Sequence, residues 1–297
     1  PGARRDGRWL VGTGLAASTY PAYRRPAKAF ARVGSGGGFV VGIGAADIGT
    51  GARTALTQIA ADALGAQVER VRVDIGDSAL PPGPVAGGSA GTASWGSAVA
   101  KACRALRERL VEHGGEVPPD GLEAYADTED DVAALEDYAR HAFGAQFAEV
   151  RVDVDTGEAR VARLLGVFAA GRIINARTAR SQLVGGMTMG LSMALLEESV
   201  MDGRFGDYVN HDLASYHVAS SADVLDVQAH WIEEADPHLN PMGSKGIGEI
   251  GIVGTAAAIA NAVHHATGIR VRDLPIRLED LLCGARGAPR ATLRRSL

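Results

Sequence analysis

The chain has 297 residues, 46% apolar and 22% charged, enough to bury a sizeable core and too ordinary a balance for a disordered chain. Thirty Lys and Arg stand against 35 Asp and Glu, a formal charge of −5, which argues against the basic face that nucleic-acid binding requires. No apolar run reaches the ~18 residues of a membrane span, and no signal peptide opens the chain. Glycine is abundant, 39 of 297, about 13% where ~7% is usual, so many tight turns and close backbone approaches are expected. The first residue is Pro1, as expected of a processed product or a piece of a longer chain. Cys103 and Cys283 form no Cys-x-x-Cys, which leaves no iron–sulfur or structural zinc motif. The histidines contain no metalloprotease spacing, and His211, His217, His264 and His265 suit surface or packing roles.

In chain order, residues 8–14 read as a short strand, and Pro21 and Pro26 forbid a long helix after it. Residues 30–33 and 39–43 flank a Gly-Ser-Gly-Gly-Gly turn and form a hairpin. Residues 54–64 carry helical spacing and stop at Gly65. Val71, Val73 and Ile75 alternate as a strand, and residues 92–110 form a second helix. Between Glu112 and Asp137, ten of 26 residues are acidic and none is Lys or Arg, the mark of a solvated excursion or linker. A second lobe then repeats the theme: a strand at 147–154, a turn at Asp155–Glu158, a strand at 160–168 and a helix at about 179–198. A strand at 225–232 and a Gly-rich loop at 243–251 lead to a helix that ends at Thr267, with Gly268 as its cap. The expected fold is α+β, two related lobes of mixed sheet with packed helices. The lobes span 1–112 and 145–297, with 113–144 between them.

Two glycine patterns imitate a dinucleotide-binding fingerprint. Gly246-x-Gly248-x-x-Gly251 follows a segment broken by Pro237 and Pro241, and Gly12-x-Gly14-x-x-Ala17 leads into proline. Neither stands between a buried strand and a helix, so neither reads as that fold. Four helix starts share a more general pattern: Asp47-Ile48-Gly49-Thr50-Gly51, Gly87-Gly88-Ser89-Ala90-Gly91-Thr92, Gln182-x-x-Gly185-Gly186, and the segment from Met242 to Glu249. Free N–H groups and glycine at such starts could grip a polar anion, but ordinary capping is the reading that the pattern alone favours. Lys245 is one of only three lysines in the chain, which singles out the last of these loops. Glu249 beside it also suits a simple helix-dipole role.

The stretch Asn240-Pro241-Met242-Gly243-Ser244-Lys245-Gly246-Ile247-Gly248-Glu249 closely resembles the xanthine dehydrogenase/aldehyde oxidase family, together with residues 256–261, Ala266-Thr267-Gly268-Ile269-Arg270 and Leu274-Pro275. More narrowly, it is similar to the C-terminal half of that family's molybdenum-cofactor-binding large subunit. Gly12-x-Gly14, Asp47-x-Gly49-x-Gly51-x-x-Thr54, Gly76-Asp77-Ser78, Gly88-Ser89-x-x-Thr92, Asn175 and Gln182-x-x-Gly185-Gly186 fall in the family's order. The likeness runs from about residue 8 to 284. Gly49-Thr50-Gly51 departs from the frequent Gly-Gln-Gly and resembles a bacterial aldehyde-oxidoreductase subgroup. Asn175-Ala176 replaces the usual Asn-Pro, and the family's N-terminal half has no counterpart here.

The resemblance implies a molybdenum cofactor-binding fold and a molybdopterin cofactor, the cytosine dinucleotide among its forms. It implies hydroxylation of an aldehyde or N-heterocycle with oxygen from water, and Glu249 as general base. Thr50, Gly51, Gly88, Ser89, Ala90, Gly91, Thr92, Gln182, Lys245, Gly246 and Gly248 would hold the cofactor, with no metal ligand from this chain. The implied partners are the N-terminal half of the large subunit, an iron–sulfur subunit and an FAD subunit. The alternative is a non-catalytic molybdopterin-binding or assembly module using the same loops.

Overall fold

The computed structural model of the chain describes residues 1–135 and 137–285. Glu136 of the acidic run and the last residues of the expected second lobe lie outside them. Strands β1 (Arg5–Asp6) and β2 (Trp9–Pro21) open the chain, and β3 (Lys28–Val33) and β4 (Phe39–Gly42) form an antiparallel hairpin. Then come α1 (Ala52–Leu64), β5 (Val71–Asp74), α2 (Gly91–Glu112), β6 (Leu122–Asp127) and α3 (Glu129–Ala133). Strands β7 (His141–Asp153) and β8 (Ala159–Ala169), helix α4 (Ala176–Leu195) and the small pair β9 (Met201–Asp202) and β10 (Asp207–Tyr208) follow. The described chain ends with β11 (Val227–Trp231), α5 (Ile250–Val253), α6 (Thr255–Thr267) and α7 (Leu278–Ala285).

Two mixed sheets organise these elements, in the orders β5-β4-β3-β6 and β1-β2-β7-β8-β11. Each holds an antiparallel hairpin, β3–β4 or β7–β8. A helix follows the hairpin, and then a strand parallel to its second arm: α1 and β5 in one sheet, α4 and β11 in the other. A fourth strand lies antiparallel to the first arm, β6 beside β3 and β2 beside β7. The lobes therefore share one topology. They differ in where the fourth strand comes from: β6 follows the second helix of its lobe, whereas β2 precedes its hairpin.

This pairing corrects the expected boundaries. The first 21 residues supply strands to the second sheet, so 1–112 is not one lobe. The stretch 113–144 is not a plain linker, because it contains β6 and the start of β7. The acid count concealed a period of two in β6. Ala124 is buried, and Leu122 and Ala126 pack partly buried against the first core, while Glu123 and Asp127 alternate with them; a strand with one solvated face needs only that alternation.

The first core lies between the four-stranded sheet and α1 and α2, built on Val41, Ile43, Leu56, Ile59, Trp95, Val99 and Leu106. The second joins Val150, Leu164, Phe168, Leu183, Met187, Leu191, Ile259 and Val263. Each such fully buried aliphatic side chain contributes ~1.5–3 kcal/mol relative to exposure. Helix α6 lies directly on the β2 backbone. A Cβ on Gly12 or Gly14 would come within 2.2 Å of the Ala262 or Ala258 carbonyl oxygen, so those glycines serve packing. The outer faces of the two sheets differ. The first carries Lys28, Arg32 and Arg72, all exposed, whereas the second leaves Leu15, Phe143 and Phe147 exposed, with Leu15 directly opposite Phe147.

Candidate active site

The loop between β11 and α5 is shaped by Asn240. Its side-chain oxygen accepts from the Met242 and Ser244 N–H groups at 3.1 and 3.2 Å, and its amide donates to the Ser244 carbonyl at 2.6 Å. Lys245 N–H donates to the Ala170 carbonyl at 2.9 Å, and Arg172 N–H to that of Gly243 at 2.8 Å. The loop is thereby fastened to the end of β8.

Against it sits the turn that starts α2. Ser89 has φ 54°, the only positive value at a non-glycine among the described residues. Its hydroxyl accepts from the Glu249 N–H at 3.0 Å. The two segments touch so closely that a Cβ on Gly246 would fall 2.1 Å from the Ser89 carbonyl oxygen, and one on Gly248 3.0 Å from its hydroxyl. Gly91 opens α2 because Trp95 fills the space where its side chain would go, at 2.6 Å.

A cleft of about 290 Å³ lies between these segments and the starts of α1 and α4. Its lining includes Thr50 from the α1 loop, Ser89, Ala90, Gly91 and Thr92 from α2, Gln182 from α4, and Lys245, Gly246, Gly248 and Glu249 from the loop. Two expected residues lie outside that lining. Gly51 (φ 74°) is backed by Thr178, 2.5 Å from a would-be Cβ, and Gly88 (φ 64°) faces Tyr23 at 3.4 Å. Both serve turns that positive φ makes natural to glycine.

Two of these helix starts are already satisfied from within. The Asp47 carboxylate accepts from the N–H groups of Gly49, Gly51 and Arg53. Burial works to raise its pKa, but backbone donors from Arg53, Gly51, Gly49 and Thr50 outweigh that and hold it below the usual range. Asn175 accepts from Arg177 and Thr178 at 3.1 and 3.0 Å, and reaches back to Gln58 of α1 at 2.9 Å. The start of α2 has no side-chain cap. Lys245 adds no free charge: its ammonium is paired with Glu234, and Asp236 stands 3.9 Å away.

Glu249 is half-buried, and its Oε2 is buried with no hydrogen-bond partner. Tyr20 stands near the same carboxylate. Burial first, then the charge of Glu249, raises the Tyr20 pKa above its usual value. Beneath the loop, Gln146 of β7 donates to the Gly251 carbonyl at 2.8 Å. Neither Tyr20 nor Gln146 was among the expected site residues. A lone glutamine on the inward side of an otherwise apolar strand was the available signal; Tyr20 offered none.

The molybdopterin cofactor-binding domain family matches residues 1–142 and 124–225. The chain belongs to this family. The aldehyde oxidoreductase molybdenum-binding subunit PaoC of Escherichia coli (strain K12) is 41% identical over 95% of this chain and 42% of its own length. The probable hypoxanthine oxidase XdhD of the same organism is 30% identical over 94% of this chain and 32% of its own. Quinoline 2-oxidoreductase from Pseudomonas putida 86 superposes with a TM-score of 0.82 at 24% identity, over 95% of this chain and 42% of that one. This molybdopterin cofactor-binding chain thus spans less than half the length of the relatives it matches, and the family resemblance read from its motifs stands.

The cleft of this molybdopterin-binding chain fits such a group on its own chemistry. The uncapped start of α2 offers N–H groups and a positive dipole end to an anion. Ala86, Gly87, Ala90 and Gly91 line the wall beside it, and small side chains let a ligand approach the backbone. Beside it, Oε2 of Glu249 is buried without a hydrogen-bond donor, which is costly unless a ligand supplies one.

Proposed function

We propose that this chain forms one wall of the molybdopterin site in an oxidoreductase that hydroxylates an aldehyde or an N-heterocycle with oxygen from water. When bound, the cofactor supplies the two-electron redox chemistry. Ser89, Ala90, Gly91 and Thr92 hold its anionic end at the start of α2, and Gln182 of α4 and Thr50 ahead of α1 orient it. Glu249 takes a proton as the new carbon–oxygen bond forms. For an aldehyde the balance is one water consumed, one carboxylic acid formed, two protons and two electrons released. The electrons require acceptors outside this chain, since neither of its two cysteines belongs to a cluster-binding motif. An iron–sulfur subunit and an FAD subunit are the proposed carriers. The N-terminal half of the large subunit is proposed to complete the enclosure, and the exposed Leu15, Phe143 and Phe147 give it an apolar surface to cover.

The observation that carries this reading is Glu249, whose Oε2 is buried without a hydrogen-bond partner, in the lining of a cleft that also holds an uncapped helix start. Its test is Glu249→Gln in the protein at full natural length. A positioned general base contributes ~10²–10⁴ in rate, so reduction of the molybdenum centre by substrate should slow at least that much while molybdenum content stays intact. A fully loaded variant with near-normal reduction would favour the non-catalytic binding or assembly module.

A further inference from the structure

Gln146 neither lines the cleft nor uses its side chain in strand pairing, yet it touches the segment that carries Glu249. It is fully buried on the inward side of β7, between Ala142 and Ala148, Val150 and Val152 on the same face. Its amide nitrogen donates to the Gly251 carbonyl at 2.8 Å and to the Ile250 carbonyl at 3.3 Å. Those are the first two residues of α5, a four-residue helix whose N-cap is Glu249. So short a helix has few bonds of its own, and its position must be set from outside. Helix α4 closes the other side: a Cβ on Gly251 would meet the Leu183 carbonyl at 2.7 Å, and one on Gly186 the Ile252 nitrogen at 3.0 Å. Held between Gln146 and α4, α5 cannot shift without carrying Glu249 along.

The other end of the amide argues against a role in stability alone. Its Oε1 has no hydrogen-bond partner and lies against Gly254, where a Cβ would come within 1.9 Å. A buried orphan acceptor costs stability that leucine or methionine, of similar volume, would not. What only the amide supplies is two donors aimed at the α5 carbonyls.

We propose that Gln146 is the positioning residue for the Glu249 carboxylate, acting through α5. The kinetic part of this rests on the reading of Glu249 as base; the anchoring part does not. Gln146→Leu in the full-length, cofactor-free protein should raise amide hydrogen exchange in residues 246–254 by ~10-fold or more, with β7, β8 and α6 still protected. In the loaded enzyme, kcat should fall ~10–100-fold, the scale of a small misplacement, with KM and molybdenum content unchanged. Adding Gln146→Leu to Glu249→Gln should then cost nothing further. Exchange that is unchanged at 246–254, or raised evenly through the second sheet, would overturn the proposal. So would a loosened α5 with full kcat in an enzyme that Glu249→Gln inactivates. If Glu249→Gln keeps full turnover while Gln146→Leu loosens 246–254, the base reading fails and the anchor stands. Gln146→Met gives the same readings should the leucine variant not fold, and failure of both to fold would assign Gln146 to the fold and overturn it.

Discussion

The Glu249 backbone N–H and the Ser89 hydroxyl meet at 3.0 Å although 160 positions separate them. One bond thereby ties the start of α2 in the first lobe to the loop that presents the carboxylate in the second. Ser89 holds this contact from a left-handed backbone, a conformation that costs a non-glycine residue ~1–2 kcal/mol.

Ser89 therefore separates two effects. Ser89→Ala loses the hydroxyl and keeps the strain, so urea unfolding should show a loss of about 1 kcal/mol. Ser89→Gly loses the same hydroxyl and relieves the backbone, so its stability should stay near wild type. Both should retain less molybdenum per chain, measured by elemental analysis, because both free the Glu249 loop.

Neighbouring glycines of α4 should respond in opposite directions. Nothing lies within 4 Å of a Cβ built on Gly185, so Gly185→Ala should gain about 0.5–1 kcal/mol from helix propensity. Gly186→Ala meets the Ile252 nitrogen at 3.0 Å and should lose about 1–3 kcal/mol. Denaturant midpoints check both.

Asp47 should make part of the stability acid-sensitive. Its carboxyl titrates below its usual value because backbone donors outweigh burial. The folded state thus binds that proton less readily than the unfolded chain does. The contribution is complete above the unfolded value of about 3.9 and disappears as pH falls through the lower folded value. Asp47→Ala should be less stable than wild type by about 1 kcal/mol at pH 7, and the gap should close on acidification below pH ~4.

Cys103 should be inert. It is fully buried, and burial raises its thiol pKa to about 12, so almost no thiolate exists at pH 8. Alkylation with iodoacetamide followed by peptide mapping should leave Cys103 unmodified until urea unfolds the chain.

Local rules carried much of this structure. The helix that stops at Gly65 does so on a left-handed cap, φ 67°, and the one ending at Thr267 stops at Gly268, φ 79°; both were readable because only glycine takes that conformation cheaply. The β3–β4 hairpin was readable from its turn. What local rules missed was pairing at long range. Nothing near Trp9 announces that its partner is Asp153, and β6 was hidden because charge was counted where alternation mattered. In the site, the Lys-Gly-x-Gly-Glu loop was legible as a motif, but the fate of the lysine was not, since Glu234 and Asp236 reach it only through the fold. The helix starts were legible as anion sites, and two of the four are occupied by Asp47 and Asn175, whose side chains look the same in sequence whether they cap or wait for a ligand.

Pro21, the last residue of β2, lies directly opposite His141, the first of β7. Along the chain these two are separated by the whole of the first lobe; in space they are adjacent positions on neighbouring antiparallel strands. The first lobe is thus a contiguous insertion into a hairpin. A tight turn joining residues 21 and 141 would convert β2, β7 and β8 into a plain three-stranded meander, reducing the second lobe to one uninterrupted segment. The same geometry sets an order for synthesis on the ribosome: β2 emerges before β7 and waits for that partner until more than a hundred further residues have followed it.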